Sequence, residues 1–287
     1  MRRAAIVIAA SVATGIAVPG AGAAGSPSVA ALQVALARQG LYAGTIDGVE
    51  SRATTRAVRR LQARDGLVVD GIAGPRTRRA LGPFARRRLG DRVLRRRAVG
   101  FDVAELQFEL AWHGFPSGVL DGRFGIHVFR AVRRFQRFAG LPVDGVAGTR
   151  TLAALAAPLP RSPLRFALPV DGTVGDRFGP RGDRFHAGVD FPAPEGTPVR
   201  AAGPGRVAWA APRAGWGLLV AIAHRDGVRT LYAHLSEAAV RLGERVETGA
   251  VLGRVGATGD ATGPHLHFEV RVDGAAVDPL TALPGGQ

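Results

Sequence analysis

Residues 29–81 recur as residues 103–155, displaced by 74 positions with no gap. Leu32-Gln33 aligns with Leu106-Gln107, Gly40 with Gly114, and Asp47-Gly48 with Asp121-Gly122. The run Arg56-Ala57-Val58-Arg59-Arg60 aligns with Arg130-Ala131-Val132-Arg133-Arg134, Asp70-Gly71 with Asp144-Gly145, and Leu81 with Leu155. So long an ungapped match implies duplication of one small unit. Each copy reads as three short helices. Leu32 and Leu36 before Gly40 give the first, by their spacing of four and a glycine stop. An Asp-Gly turn follows. Residues 54–64 give the second helix, with Ala57, Val58 and Leu61 inward, and Pro75 opens the third.

The 287-residue chain has room for further domains, and about 46% of it is hydrophobic, enough for real cores. It contains no cysteine, which excludes disulfides and thiolate metal sites and leaves His and carboxylates as metal ligands. The net charge is +15, carried on the basic side by Arg alone. The chain opens with Arg2-Arg3, an apolar run from Ala4 to Val18 and the small residues Ala21-Gly22-Ala23, the pattern of a cleaved signal peptide over residues 1–24. The competing reading, an uncleaved anchor, suffers from the shortness of the run and its interruption by Gly15 and Pro19. No later segment reads as a membrane span. Arg86-Arg87-Arg88 and Arg95-Arg96-Arg97 lie between the copies, in a segment read as an Arg-rich linker over 83–101. Such a patch attracts polyanions. In a secreted chain these would be anionic wall polymers or phospholipid headgroups rather than nucleic acid. A solvated helix face in an Arg-biased sequence reads equally well.

Residues 157–169 carry Pro158, Pro160, Pro163 and Pro169 and read as a semi-stiff linker. Beyond them the pattern changes to short β-prone runs at 197–201, 205–210, 218–223, 230–234, 251–255 and 265–272, separated by turns such as Arg225-Asp226-Gly227. That spacing predicts an antiparallel β domain. In its last long run, His265 and His267 share one strand face, roughly 7 Å apart. His186 and Asp190 sit four apart, about 13 Å in a straight strand, so a bend is expected, with Gly188 as its site. His and carboxylate suit zinc. The third ligand is left open by spacing among His265, His267 and His234.

Two resemblances complete the reading. Both copies resemble the bacterial peptidoglycan-binding domain. The second is the closer, through Asp121-Gly122-Arg123-Phe124-Gly125, Phe135-Gln136 and Gly140-Leu141-Pro142-Val143-Asp144-Gly145. The first departs at Val49-Glu50-Ser51 and Leu61. Residues 166–284 resemble the lysostaphin-type (LytM-type) zinc metallopeptidase domain. The matching stretches are His186-Ala187-Gly188-Val189-Asp190-Phe191, Gly196-Thr197-Pro198-Val199, Thr230-Leu231-Tyr232-Ala233-His234-Leu235-Ser236, Gly256-Ala257-Thr258-Gly259 and Thr262-Gly263-Pro264-His265-Leu266-His267-Phe268-Glu269. The resemblance implies His186, Asp190 and His267 as ligands of one zinc ion. It implies His234 and His265 as the catalytic pair that orients water and stabilises the oxyanion.

The expected architecture is multidomain: two all-α three-helix bundles (28–82 and 102–156), then a mainly antiparallel β metallopeptidase domain (170–284). The expected activity is that of a secreted, wall-associated, monomeric zinc endopeptidase acting on peptidoglycan cross-links or stem peptides. Peptidoglycan is the expected partner, with anionic wall polymers second and no nucleic acid. A non-catalytic regulator of another hydrolase and a zinc carboxypeptidase are the alternatives. Glu269 shares the face of His265 and His267 and reads either as a tautomer-fixing group or as a structural one. His113, His127 and His224 read as non-ligands. Trp209 and Trp216 read as core or cleft wall, and Tyr232 carries no assigned role.

Overall fold

The computed structural model describes residues 25–285; the signal-peptide reading of residues 1–24 lies outside them. Six α-helices come first: α1 (Pro27–Arg38), α2 (Arg52–Arg64), α3 (Pro75–Ala80), α4 (Phe101–Trp112), α5 (Ile126–Phe138) and α6 (Thr149–Leu155). They form three per repeat, as the pattern predicts. Pro27 and Pro75 stand in first turns, where no intrahelical N–H partner is lost. Ser51 caps α2 through the Thr54 N–H.

The turns of the repeats are tied by a device used four times. A buried glutamine donates through Nε2 to an Asp Oδ1 and accepts through Oε1 from the N–H of the following glycine. The sets are Gln33 with Asp47-Gly48, Gln62 with Asp70-Gly71, Gln107 with Asp121-Gly122, and Gln136 with Asp144-Gly145. The Asp-Gly turns were legible in the sequence; the glutamine that ties each one was not.

The two copies are not independent bundles. Helices α1 and α4, equivalent in the repeat, pack on each other, and Phe101, Ala104, Phe108 and Leu120 of the second copy join the core of the first. Both helices are buried on nearly every side, so neither shows a polar stripe. The Arg-rich segment is likewise no free linker. Leu94 is fully buried and exchanges backbone hydrogen bonds with Ala147, while Arg92 and Arg88 pair with Asp102 and Glu105. The end of the Pro-rich segment also docks: Phe166 enters the sheet core, and its N–H reaches the Ala282 carbonyl.

Eleven strands follow: β1 (Gly179–Arg181), β2 (Arg184–His186), β3 (Val189–Pro192), β4 (Pro198–Arg200), β5 (Gly205–Arg213), β6 (Gly217–Ala223), β7 (Val228–Ala238), β8 (Arg245–Val246), β9 (Val251–Val255), β10 (His265–Val272) and β11 (Ala275–Val277). β1 and β2 make a hairpin of their own. The rest form one antiparallel sheet in the order β11-β10-β7-β6-β5-β8, with β3 on β10, β9 on β7 and β4 on β9. One face carries the main core, including Phe191, Tyr232, Leu266 and Phe268. The other carries a small patch of Leu219, Ala221, Leu231 and Ala233 under Trp216. Tyr232 therefore lies in the core, away from the cleft. Its hydroxyl accepts from the Ala202 N–H, and burial pushes its pKa up to about 12.

The helical unit holds the β1–β2 hairpin at its tip. Ile46 and Leu120, equivalent positions 74 residues apart, donate backbone N–H groups to the consecutive carbonyls of Gly182 and Asp183, each at 2.8 Å. Trp112 stacks edge-on against Phe178 and Phe185. The N–H of Ala276 donates to the Gly114 carbonyl, and Ala275 completes the second repeat's core.

Candidate metal centre

Four strands bring the histidines and the carboxylate together. β2 ends on His186, β3 carries Asp190, and β10 carries His265 and His267. Asp190 stands directly opposite His267 in the β3–β10 register. The chain crosses from β2 to β3 through Ala187-Gly188. Gly188 supplies the expected bend, and it also supplies clearance. A Cβ there would run into the Phe268 carbonyl oxygen and lie 2.9 Å from His267 Cε1.

β7 delivers His234 by breaking its own alternation. Tyr232 and Leu235 face the core and Ala233 faces the cleft, so a regular strand would aim His234 into the core. His234 instead has φ of 62° and swings to the cleft face, where its ring centroid lies 4.7 Å from that of His265. Left-handed backbone at a histidine costs on the order of 1–3 kcal/mol and concentrates at functional sites.

The donor atoms converge. His186 Nε2, His267 Nδ1 and Asp190 Oδ1 lie 2.8 to 3.0 Å from one another. The far nitrogen of each histidine is held by an acceptor. His186 Nδ1 meets the Arg177 carbonyl, His267 Nε2 meets Glu269, His234 Nδ1 meets the Thr258 carbonyl and His265 Nδ1 meets the Gly263 carbonyl. A carbonyl only accepts, so these ring nitrogens carry their protons there, and the opposite nitrogens turn lone pairs toward the cleft.

His186 and His267 aim lone pairs at each other across 3.0 Å beside a carboxylate, an arrangement that requires a cation between them. A tetrahedral zinc with bonds of about 2.0–2.1 Å spaces its donors by about 3.3 Å, close to the separations here. Without metal a proton takes the cation's place. Burial opposes the charged His267 ring, but hydrogen bonds to Asp190 and Glu269 outweigh it and raise its pKa to about 9. Burial alone would raise Asp190; its bonds to His186 and His267 hold it well below the usual carboxylate range. Glu269 is likewise held low against burial, by Arg271 first and then by His267. Burial, and less strongly the neighbouring rings, push the His234 pKa below its ordinary value, against the bond to the Thr258 carbonyl.

Arg271 and Arg181 were not singled out from the sequence, and Glu269 was, with its role left open. Glu269 Oε1 accepts from Trp216 Nε1 at 2.9 Å as well as from His267, and its Oε2 takes Arg271 Nε at 2.6 Å. Glu269 therefore fixes the His267 ring, the first of the two readings left open for it. Arg271 was within reach, because it continues the 265-267-269 face by strand alternation. Arg181 Nη1 bridges Asp176 and the free oxygen of Asp190. His265 Nε2 stands 3.9 Å from Asp190, outside the tight cluster. His224 joins the Pro204 carbonyl to the Thr230 hydroxyl, and His113 joins the Glu109 and Ala157 carbonyls, so both are spent on structure.

Known protein families match three stretches of the chain. Residues 184–279 match the family described as peptidase family M23. That stretch belongs to the M23 peptidases. Residues 25–81 and 100–155 match the putative peptidoglycan binding domain. A DD-carboxypeptidase/endopeptidase of Neisseria meningitidis serogroup B is 49% identical over 102 residues, 35% of this chain and 24% of that protein. The peptidoglycan DD-endopeptidase ShyC of Vibrio cholerae is 41% identical over 135 residues, 44% of this chain and 30% of that protein. The chain thus spans about a quarter to a third of the length of these relatives. The catalytic domain of lysostaphin from Staphylococcus simulans, a solved structure, is 34% identical with a TM-score of 0.37, covering 39% of this chain and 91% of that one.

Proposed function

We propose that the protein is a zinc endopeptidase that cuts peptide cross-links or stem peptides of bacterial peptidoglycan. We place it outside the cytoplasm at the wall, held there by its helical unit. The observation that carries this reading is the meeting of the free nitrogens of His186 and His267 on Asp190, with His234 and His265, each anchored through its other nitrogen, side by side next to it. In this reading His186, Asp190 and His267 hold the zinc. When bound, zinc supplies a Lewis acid for the scissile carbonyl and lowers the pKa of water toward neutrality. His234 and His265, side by side across the cleft, orient the attacking water and take its proton on a free Nε2. The same pair returns a proton to the departing amine and donates to the developing oxyanion. Glu269, itself fixed by Trp216 and Arg271, keeps the His267 ring in its working tautomer.

The experiment is chelation combined with His267→Ala. Either treatment is expected to abolish wall lysis and remove stoichiometric zinc, while sedimentation with sacculi persists. Full lysis by a metal-stripped sample would overturn the reading. A carboxypeptidase reaction uses the same groups, and the printed name of the Neisseria relative includes it. Mass spectrometry of digested muropeptides separates the two, because only an endopeptidase converts cross-linked dimers to monomers.

A further inference from the structure

The second repeat carries a basic pocket that neither the metal centre nor the Gln-Asp-Gly ties use. Its walls are Pro116, Ser117 and Gly118 from the loop after α4, and His127, Arg130 and Arg134 from α5, enclosing about 260 Å³. Positions 127, 130 and 134 fall on one stripe of the helix. Arg134 is steered into place by donating through Nη2 to the Pro116 carbonyl at 2.9 Å. Neither arginine pairs with a carboxylate among the described residues. Like charges one helical turn apart repel, and Arg271 adds to the local positive charge. Crowding by protein, and then Arg271, push the Arg134 pKa down. Ser117, in the pocket wall, has a buried hydroxyl without a hydrogen-bond partner among the described residues.

The first repeat holds the same pocket at equivalent positions. It is lined by Leu41, Tyr42, Ala43, Gly44, Ala53, Arg56 and Arg60. The arginine pair and the glycine recur there. The hydroxyl and the imidazole do not: Ala43 stands for Ser117 and Ala53 for His127. The fold therefore makes this pocket twice: the Tyr42 hydroxyl of the first is spent on the Thr45 carbonyl, and only the second adds an imidazole and an unpartnered hydroxyl to the paired guanidinium groups.

We propose that the pocket of Ser117, His127, Arg130 and Arg134 binds a carboxylate, a free carboxyl group of a wall stem peptide. This rests on the reading of the repeats as wall-binding. Guanidinium forks match a planar carboxylate, and the Ser117 hydroxyl turns toward it about χ1. The space is smaller than a drug-sized pocket and fits an end group rather than a disaccharide. Arg130 and His127 are exposed, so binding weakens as salt rises.

The test uses the full chain carrying His267→Ala, to prevent turnover, and a soluble stem peptide with free carboxylates. The same peptide with its carboxylates amidated serves as control, and calorimetry reads the affinity. Arg130→Gln is expected to weaken binding of the free-acid peptide about tenfold, or about 1.4 kcal/mol. The amidated peptide is expected to bind as weakly to both proteins. Ser117→Ala with His127→Ala, a lining the first repeat already carries, is expected to weaken binding while leaving Tm unchanged or raised. Unchanged affinity in the variants, or equal affinity for the amidated peptide, would overturn the pocket assignment. Sedimentation with sacculi separates the two layers. If the unsubstituted pocket fails to sediment, the wall-binding reading falls; if it sediments and the peptide results are flat, only the pocket falls.

Discussion

At Gly188 one missing methyl group decides whether the metal centre closes. The residue lies between two proposed ligands in sequence and against a third in space. A Cβ there meets the Phe268 carbonyl, His267 Cε1 and Glu269 Cγ, two of them side-chain atoms of the His267–Glu269 pair. The backbone neighbour belongs to β10 and cannot swing aside as a side chain can. Gly188→Ala is therefore expected to cost about 1–3 kcal/mol, the usual range for overpacking. It is also expected to weaken zinc binding by pushing His267 off Asp190. Thermal denaturation with and without a chelator measures both effects. A variant with unchanged Tm and unchanged zinc affinity would show that β10 yields freely. His234 makes the complementary point. Its place in a strand was legible from the sequence, but alternation aims it at the core. Only its left-handed backbone turns it to the cleft, and no spacing reveals that.

The helical turns test their own ties in the same way. Gln136 is buried, donates through Nε2 to Asp144 and to the Val146 carbonyl, and accepts through Oε1 from the Gly145 N–H. Gln136→Met keeps the size and strands those groups, so a loss of about 2–3 kcal/mol is expected in urea denaturation. The pH dependence has a definite sign. The Val146 N–H and then Gln136 hold the Asp144 pKa below its ordinary value. Its contribution is therefore present above the unfolded value of about 3.9. It disappears as pH falls through the lower folded value. The Asp144 part of the loss should fade in acid, and a loss that grows on acidification would contradict the tie. Elements of this kind were readable where local pattern dictates them. The β-prone runs at 218–223, 251–255 and 265–272 stand as β6, β9 and β10. The β1–β2 hairpin was not readable. Its Gly179-Pro180-Arg181-Gly182-Asp183-Arg184 lacks alternation, and its tip is fixed by N–H donors from Ile46 and Leu120, far away in the chain.

For the whole molecule, the consequence is that the duplicated units act as one body rather than as two beads on a tether. Helix α1 is buried on nearly all sides, and part of what covers it belongs to the second copy: Phe101, Ala104, Phe108 and Leu120. A unit of about 60–70 residues is marginal even with its core complete, and the first repeat alone would expose the apolar face that α4 covers. A fragment of residues 25–98 is therefore expected to be largely unfolded, with weak helical circular dichroism and no cooperative melt. Residues 25–156 are expected to melt in a single transition, because removing either copy opens the shared core. A cooperative melt of residues 25–98 at the temperature of the longer fragment would disprove the shared core. The helical unit proposed to meet the wall also pins the hairpin that ends on His186, through contacts at Gly182, Asp183, Phe178 and Phe185.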